Sequence, residues 1–418
     1  MPESQVPMKP TGLHPGFGNK WHLRAKRGAV LLFSYYPADP RPRLAAEALA
    51  AEGAIVEVVC LRESQEEPRH EVINGVSVLR LGLKRHRASK IRYMTQYTAF
   101  ILLSFSYLAL RSIVDRYDFV HVHNMPDVLV FSALIPKALG AKIILDLHDP
   151  MPELMQVIFN LPEGSFAIRL LKWFEKLSVG FADLVLTVNI ACKQIYSSRG
   201  CPSGKIKVVI NSPEDDIFQY RPASLDCSNS GEPARRFVIL YHGSLLPRNG
   251  FDLAVSALET ARKTIPGTKL VVCGERTSFF DDVMESVRKR GLQESVEYLG
   301  ARNRQQIVEA ISGCDVGIIP NHRNIFTEIN TPTRIFECLA LAKPVIAPKA
   351  KGIQDYFGDN DLIFFELGNA DDLARKIEFA YSHPEEVADT VKRGQEVYLS
   401  HTWSRERLSL LNSISELL

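Results

Sequence analysis

Short apolar runs alternate with helical patterns along almost the whole chain, and that rhythm restricts the fold more than any single motif does. In the first half the runs fall at 29–33, 54–60, 76–81, 119–122, 142–147, 184–188 and 206–210. They are continuous rather than alternating, as strands buried on both faces are. Helical patterns fill most of the gaps, which gives a βαβ succession and a mainly parallel sheet. The rhythm then stops over a polar stretch, 211–236, that holds prolines, Asp215-Asp216 and Ser228-Asn229-Ser230-Gly231. It restarts with strands at 237–241, 269–273, 296–299, 316–319, 344–347 and 362–365. The sequence therefore predicts an α/β chain with two doubly wound, Rossmann-like units facing across a cleft. A ligand is expected in that cleft, at the carboxyl ends of the strands.

The expected boundaries are a disordered tail over 1–22, a first domain over 23–213, a linker over 214–235 and a second domain over 236–400. The segment 401–418 reads as an amphipathic helix after Trp403 that crosses back onto the first domain. With 418 residues the chain is too long for one core, so two domains are also the default on size. The tail is rich in Pro and Gly without an apolar centre, unlike a signal peptide. A net charge of +2 gives no general affinity for nucleic acid. The seven cysteines (60, 192, 201, 227, 273, 314, 338) are scattered and form no Cys-x-x-Cys pair. That pattern fits a reducing cytoplasm and neither a disulfide framework nor a zinc site.

The segment 97–110 is strongly apolar but too short to span a bilayer. Lys84, Arg85, His86, Arg87, Lys90 and Arg92 precede it, with Tyr93 and Tyr97 alongside. A basic, aromatic-flanked amphipathic helix suits a membrane surface, so 84–110 is a candidate peripheral contact at the inner face of a membrane. A core helix behind a solvated loop would have the same composition.

Residues 327–347 carry the densest signal. Thr331 suits a helix N-cap and Pro332 the first helical position, and the helix is expected to run to about Ala342. Arg334 then sits in the first turn, where the macrodipole disfavours a cation, and Glu337 lies three residues on. An anion bound at the helix start would explain that cation; a surface ion pair with Glu337 is the plain alternative. Tyr241-His242-Gly243-Ser244-Leu245-Leu246-Pro247-Arg248-Asn249-Gly250 follows the first strand of the second unit. Its glycines let backbone approach a ligand, and Arg248 offers a guanidinium to a diphosphate.

In the first unit, Asp146-Leu147-His148-Asp149 ends a strand, with Asp146 placed to orient His148. His121 and His123 end another, one expected in the core and one toward the cleft; without further ligands they do not argue for a metal. Asp359-Asn360-Asp361 follows Gly358 and reads as a turn. No Gly-x-Gly-x-x-Gly and no P-loop follows any strand, which counts strongly against a dinucleotide-binding oxidoreductase and a P-loop enzyme.

Together these residues resemble a GT-B glycosyltransferase of the large retaining family four, also called group 1. The resemblance rests on Phe336-Glu337-Cys338-Leu339-Ala340-Leu341-Ala342-Lys343-Pro344-Val345-Ile346-Ala347 and on Tyr241-His242-Gly243-Ser244-Leu245 with Arg248 and Gly250. It also rests on Val296-Glu297-Tyr298-Leu299-Gly300, Cys314-Asp315-Val316-Gly317-Ile318-Ile319-Pro320, the Leu147-His148-Asp149 strand end and Val208-Val209-Ile210-Asn211-Ser212-Pro213. It implies hexosyl transfer from a nucleotide-diphosphate sugar on the second domain to a glycan or lipid-linked acceptor on the first, in cell-envelope or exopolysaccharide assembly. It implies no metal or other cofactor. His148, Arg248 and Glu337 would serve catalysis. Gly243, Ser244, Arg248, Arg334, Glu337 and Glu328 would hold the donor, with Glu337 on the ribose. Asp39, Arg41, Arg43, His123 and Asp149 would lie on the acceptor side.

Several positions depart from the family pattern. Its first motif Glu would fall at Ile329, one residue after Glu328. Pro332-Thr333-Arg334 matches a Pro-x-Lys variant with Arg for Lys. Ser244 and Asn249 replace the usual Arg and Lys, and the glycine pair after the first strand is missing. The resemblance implies retention through a same-face displacement, in which the leaving diphosphate helps deprotonate the acceptor. Two rival readings are a non-catalytic GT-B nucleotide-binding subunit and a GT-B sugar-nucleotide epimerase.

Overall fold

A computed structural model of the chain describes residues 21–84, 90–223 and 236–418. The tail over 1–20, much of the interdomain stretch, and the side chains of Arg85, His86, Arg87, Lys90, Arg92 and Tyr93 lie outside the described residues.

The first sheet comprises β1 (Arg27–Tyr35), β2 (Ile55–Leu61), β3 (His70–Ile73), β4 (Val76–Leu81), β5 (Phe119–His123), β6 (Lys142–Leu147), β7 (Leu184–Thr187) and β8 (Ile206–Val208). Their order is β3-β4-β2-β1-β5-β6-β7-β8, parallel except for β3, which runs antiparallel to β4. The second sheet holds β9 (Val238–His242), β10 (Lys269–Cys273), β11 (Val296–Gly300), β12 (Val316–Ile318), β13 (Val345–Pro348) and β14 (Ile363–Phe365), all parallel in the order β11-β10-β9-β12-β13-β14. The central strands are buried on both faces, as their unbroken apolar runs require.

The helices of the first half are α1 (Pro40–Ala51), α2 (Lys90–Val114), α3 (Leu134–Ala138), α4 (Met151–Phe159), α5 (Phe166–Phe181) and α6 (Ile190–Ser198). The second half adds α7 (Phe251–Ala261), α8 (Ser278–Lys289), α9 (Arg304–Gly313), α10 (Thr333–Ala340), α11 (Lys351–Gln354), α12 (Ala370–Ser382), α13 (Pro384–Ser400) and α14 (Trp403–Ser415). In each sheet the strand order reverses beside the first strand of the unit, at β1/β5 and at β9/β12. Those are the switch points where loops part and a ligand can enter.

α14 leaves the second domain and packs on the first. Leu410, Leu411 and Ile414 join Ala45, Leu49 and Val209 in one apolar cluster. Glu406 accepts the Ile210 N–H at 2.8 Å and Arg407 pairs with Glu52 at 2.6 Å. Leu411 is fully buried there, so Leu411→Ala is expected to cost roughly 2–5 kcal/mol, read as a lowered urea midpoint with an unchanged slope.

Four expectations change. Trp21 packs against the α14 cluster and the His22 N–H donates to Ser415 Oγ at 3.1 Å, so the tail ends before them. The start of the linker is docked on the second domain, with Phe218 buried and the Arg221 N–H donating to Ala340 O at 2.8 Å. The apolar helix runs on to Val114 and is long enough by length and composition to cross a membrane. Its Tyr97, Phe100, Ser104, Leu108 and Ser112 are nevertheless buried in the first domain, so it lies against the sheet. Finally, α10 begins at Thr333 with Pro332 as N-cap and ends at Ala340. Thr331 Oγ1 instead donates to Gly352 O at 2.6 Å and accepts from Asn189 Nδ2 at 3.1 Å, which ties the two domains together.

Candidate functional site

The carboxyl ends of the two sheets face each other across a cavity of about 660 Å³. Asp39, Arg41, His148 and Asp149 line it from the first domain, and Gly243, Ser244, Glu275, Arg302, Arg334 and Glu337 from the second. A smaller cavity of about 160 Å³ adjoins it inside the first domain. The two share Asp39, His148 and Asp149, and the small one adds Phe33, Tyr97 and His123.

On the first-domain side the floor is a buried charge cluster. Asp146 takes the Arg41 guanidinium through Nε at 3.0 Å to each oxygen and Nη2 at 2.7 Å. Arg41 Nη1 donates to Val209 O and Asn211 Oδ1, both at 2.8 Å. Arg41 therefore borders the cavity with most of its donors already engaged. Burial opposes charge on Asp146, yet the guanidinium and the surrounding imidazoles hold its carboxyl well below the usual range.

Asp146 does not hold His148 directly. His123 Nδ1 lies 2.8 Å from His148 Nε2, and Asp146 Oδ2 lies 3.5 Å from His123 Nδ1 and from His121 Nε2. His121 and His123 are two residues apart on one strand and so share a face; both are buried, and of the two His123 lines the smaller cavity while His121 stays in the core. Burial, with neighbouring positive charge, pushes His123 and His148 down. At 2.8 Å, one of these two ring nitrogens donates and the other accepts. Burial also lifts Asp149 to about 6, against the pull of Arg248 and Arg41. Asn124 braces this edge: its Oδ1 accepts the His148 N–H at 2.8 Å and its Nδ2 donates to Asp149 O at 3.0 Å.

On the second-domain side His242 joins the two charges of α10. Arg334 Nη1 donates to His242 O at 2.7 Å, and Glu337 Oε2 lies 2.7 Å from His242 Nε2. Both α10 charges are bonded to His242 in place of the alternative Arg334–Glu337 surface pair. The Arg334 guanidinium also lies over the Tyr241 ring, at 5.5 Å from its centroid. The Gly243 N–H is spent on Cys273 O at 2.9 Å, so this glycine gives the cavity room rather than a donor. A Cβ there, at φ +129°, would stand 3.2 Å from Arg334 Cδ. Gly250 is needed more strictly: at φ +68°, a Cβ would fall 1.7 Å from Pro320 O.

Three candidate residues sit elsewhere than expected. Arg43 pairs with Glu47 at 3.1 Å and Glu214 at 2.6 Å and does not border the cavity. Glu328 accepts the Lys351 N–H at 3.3 Å outside the cavity, because the chain turns Ile329 into the first domain's apolar cluster. Arg248 lies beside the cavity, over the Phe326 ring at 5.7 Å and within electrostatic reach of Asp149. The sequence reading passed over His242 and Glu275, although both stand at or just after strand ends.

His121, His123 and Asp146 offer ligand atoms within 4.8 Å of one another. A cation among them would face the Arg41 guanidinium that already neutralises Asp146. Asp359 pairs with Lys349 at 2.8 Å, and Asp361 accepts the Gly358 N–H at 2.7 Å, which is turn chemistry.

Two parallel-sheet, Rossmann-like domains whose strand ends face one another across one cleft are the GT-B architecture. Residues 226–397 match the family described as Glycosyl transferases group 1, and residues 39–212 match the Glycosyl transferase 4-like domain. The chain belongs to the group 1 glycosyltransferases. It is similar to the probable glycosyltransferase WbjE of Pseudomonas aeruginosa, 22% identical over 64% of this chain and 66% of WbjE. Among solved structures it resembles sucrose-phosphate synthase from Thermosynechococcus elongatus, with TM-score 0.73 at 18% identity over 94% of this chain and 99% of that one. It also resembles Anabaena HepE in complex with UDP, with TM-score 0.66 at 15% identity over 94% and 100%.

Proposed function

We propose that the protein is a retaining hexosyltransferase that takes a sugar from a UDP-sugar and passes it to a hydroxyl of a lipid-linked or envelope glycan. The observation that carries this is the single cavity lined by Arg334 and Glu337 of one domain and by His148 and Asp149 of the other. HepE's complexes with UDP and with UDP-glucose support a uridine donor.

In this proposal Glu337, fixed by His242, accepts the ribose hydroxyls. Arg334 and the start of α10 face the diphosphate. The acceptor hydroxyl enters from the smaller cavity beside His148. Its oxygen bonds to the anomeric carbon on the face from which the diphosphate leaves, and its proton passes to a departing phosphate oxygen. His148, hydrogen-bonded to His123 and disfavoured as a cation by its burial, orients the sugar. Arg334 supplies the counter-charge that a metal provides in other transferases. Turnover is therefore expected to be unchanged in EDTA; a loss restored by Mg²⁺ or Mn²⁺ would contradict that part.

The free, buried cysteines among the described residues suit a reducing cytoplasm. The exposed apolar side of α2 suits a place at the inner face of a membrane. A thermal-shift series with UDP-, GDP- and dTDP-sugars tests the donor. A UDP-sugar is expected to raise the melting temperature of the native protein and to do so far less in Glu337→Ala. An equal shift in both proteins would remove Glu337 from the donor site.

A further inference from the structure

The helix α5 is built inside out for a water-facing surface. Ile168, Glu175, Ser178 and Val179 turn inward. The opposite stripe carries Phe166, Leu170, Trp173 and Leu177, with Phe166 72% and Trp173 54% exposed. Spacings of three and four residues set these four along one line of the helix. Arg169 and Lys176 are exposed along one flank of this stripe, and Lys172, half-buried and farther round the helix, pairs with Glu163 at 3.3 Å. The one acidic residue of α5, Glu175, is buried against Arg199 at 2.8 Å. α4 packs on α5, and its end adds the exposed Ile158 and Phe159.

We infer that the outer face of α5, with the end of α4, is a seat on an anionic lipid bilayer, separate from the basic run that precedes α2. Aromatic and aliphatic side chains interleaved with basic ones, with no exposed carboxylate on the helix, match the acyl boundary and the anionic headgroups together. The position serves the acceptor. α4 starts at Met151, directly after His148 and Asp149, and its nine residues span about 13 Å, so the seat lies one short helix away from the site. A sugar held at His148 could remain attached to a lipid whose tail stays in the bilayer at Phe159 and Phe166. This assignment deepens the lipid-linked acceptor reading, but its test needs no acceptor.

Purified full-length protein is sedimented at low salt with phosphatidylcholine vesicles, with and without added phosphatidylglycerol. The native protein is expected to pellet with the anionic vesicles only. Phe166→Ser combined with Trp173→Ser, and Arg169→Glu combined with Lys176→Glu, are each expected to weaken that binding by roughly tenfold or more. The UDP-sugar thermal shift should be unaffected in both. Trp173 emission should move to the blue on vesicle addition. Native protein that stays in the supernatant, or variants that pellet as well as it does, overturn the assignment. So does a dimer in lipid-free solution that the Phe166/Trp173 change dissolves without altering vesicle binding, since the face would then belong to a second copy. Vesicle binding lost in the variants while no nucleotide sugar shifts the native protein would leave the seat standing and remove the donor reading.

Discussion

Arg334→Ala is expected to lower kcat by roughly a hundredfold to a thousandfold while the protein stays folded. The side chain is fixed by His242 O and the Tyr241 ring on the wall of the cavity. It occupies the first turn of α10, where the helix dipole opposes a cation. The proposed diphosphate supplies the anion that balances it, and this anion gains charge as the glycosidic bond breaks. Removing one fixed donor aimed at such charge typically costs about 2.7–4 kcal/mol of barrier. Arg334→Lys should restore part of the loss, since a point charge remains but the fork does not. Initial rates of UDP release, with circular dichroism to confirm folding, measure both. A variant with full kcat would place the developing charge elsewhere.

The second large effect concerns stability. Asp146→Ala is expected to destabilise the first domain by about 3–5 kcal/mol, because it leaves a guanidinium buried without its partner. Arg41 and Asp146 are 10% and 2% exposed, so solvent screens them little. Their contact joins the end of β6 to α1 and, through Val209 and Asn211, to the strand end beside the interdomain stretch. A urea titration of the variant, followed in the first-domain transition, should show the loss. The double change of Arg41 and Asp146 to similarly sized apolar residues should recover much of it. A single variant as stable as the native protein would show that the pair is not buried as described.

Most of the architecture could be read from the sequence, because parallel strands covered on both faces are unbroken apolar runs. β3 escaped because it is a four-residue edge strand, His70-Glu71-Val72-Ile73, with no buried residue and therefore no apolar run to mark it. The two ends of the site were legible as strand ends followed by His148 and by Gly243. The links that set their chemistry were not. Arg41 reaches Asp146 across 105 positions, and Glu337 reaches His242 across 95. No local pattern encodes such contacts. The period of two along β5 carried the shared face of His121 and His123, and the position of His123 at the strand end carried its place at the cavity. Glu328 misled for another reason: a carboxylate one position from the motif looked serviceable, but the backbone there turns Ile329, not an acid, into the interdomain seam.

The most direct test is turnover of UDP-glucose and related UDP-sugars by the purified protein in EDTA, in parallel with Arg334→Ala. The account predicts slow UDP release by the native protein even without acceptor, and release lower by roughly a hundredfold or more in the variant. No release from any UDP-, GDP- or dTDP-sugar, or equal release by both proteins, would contradict it.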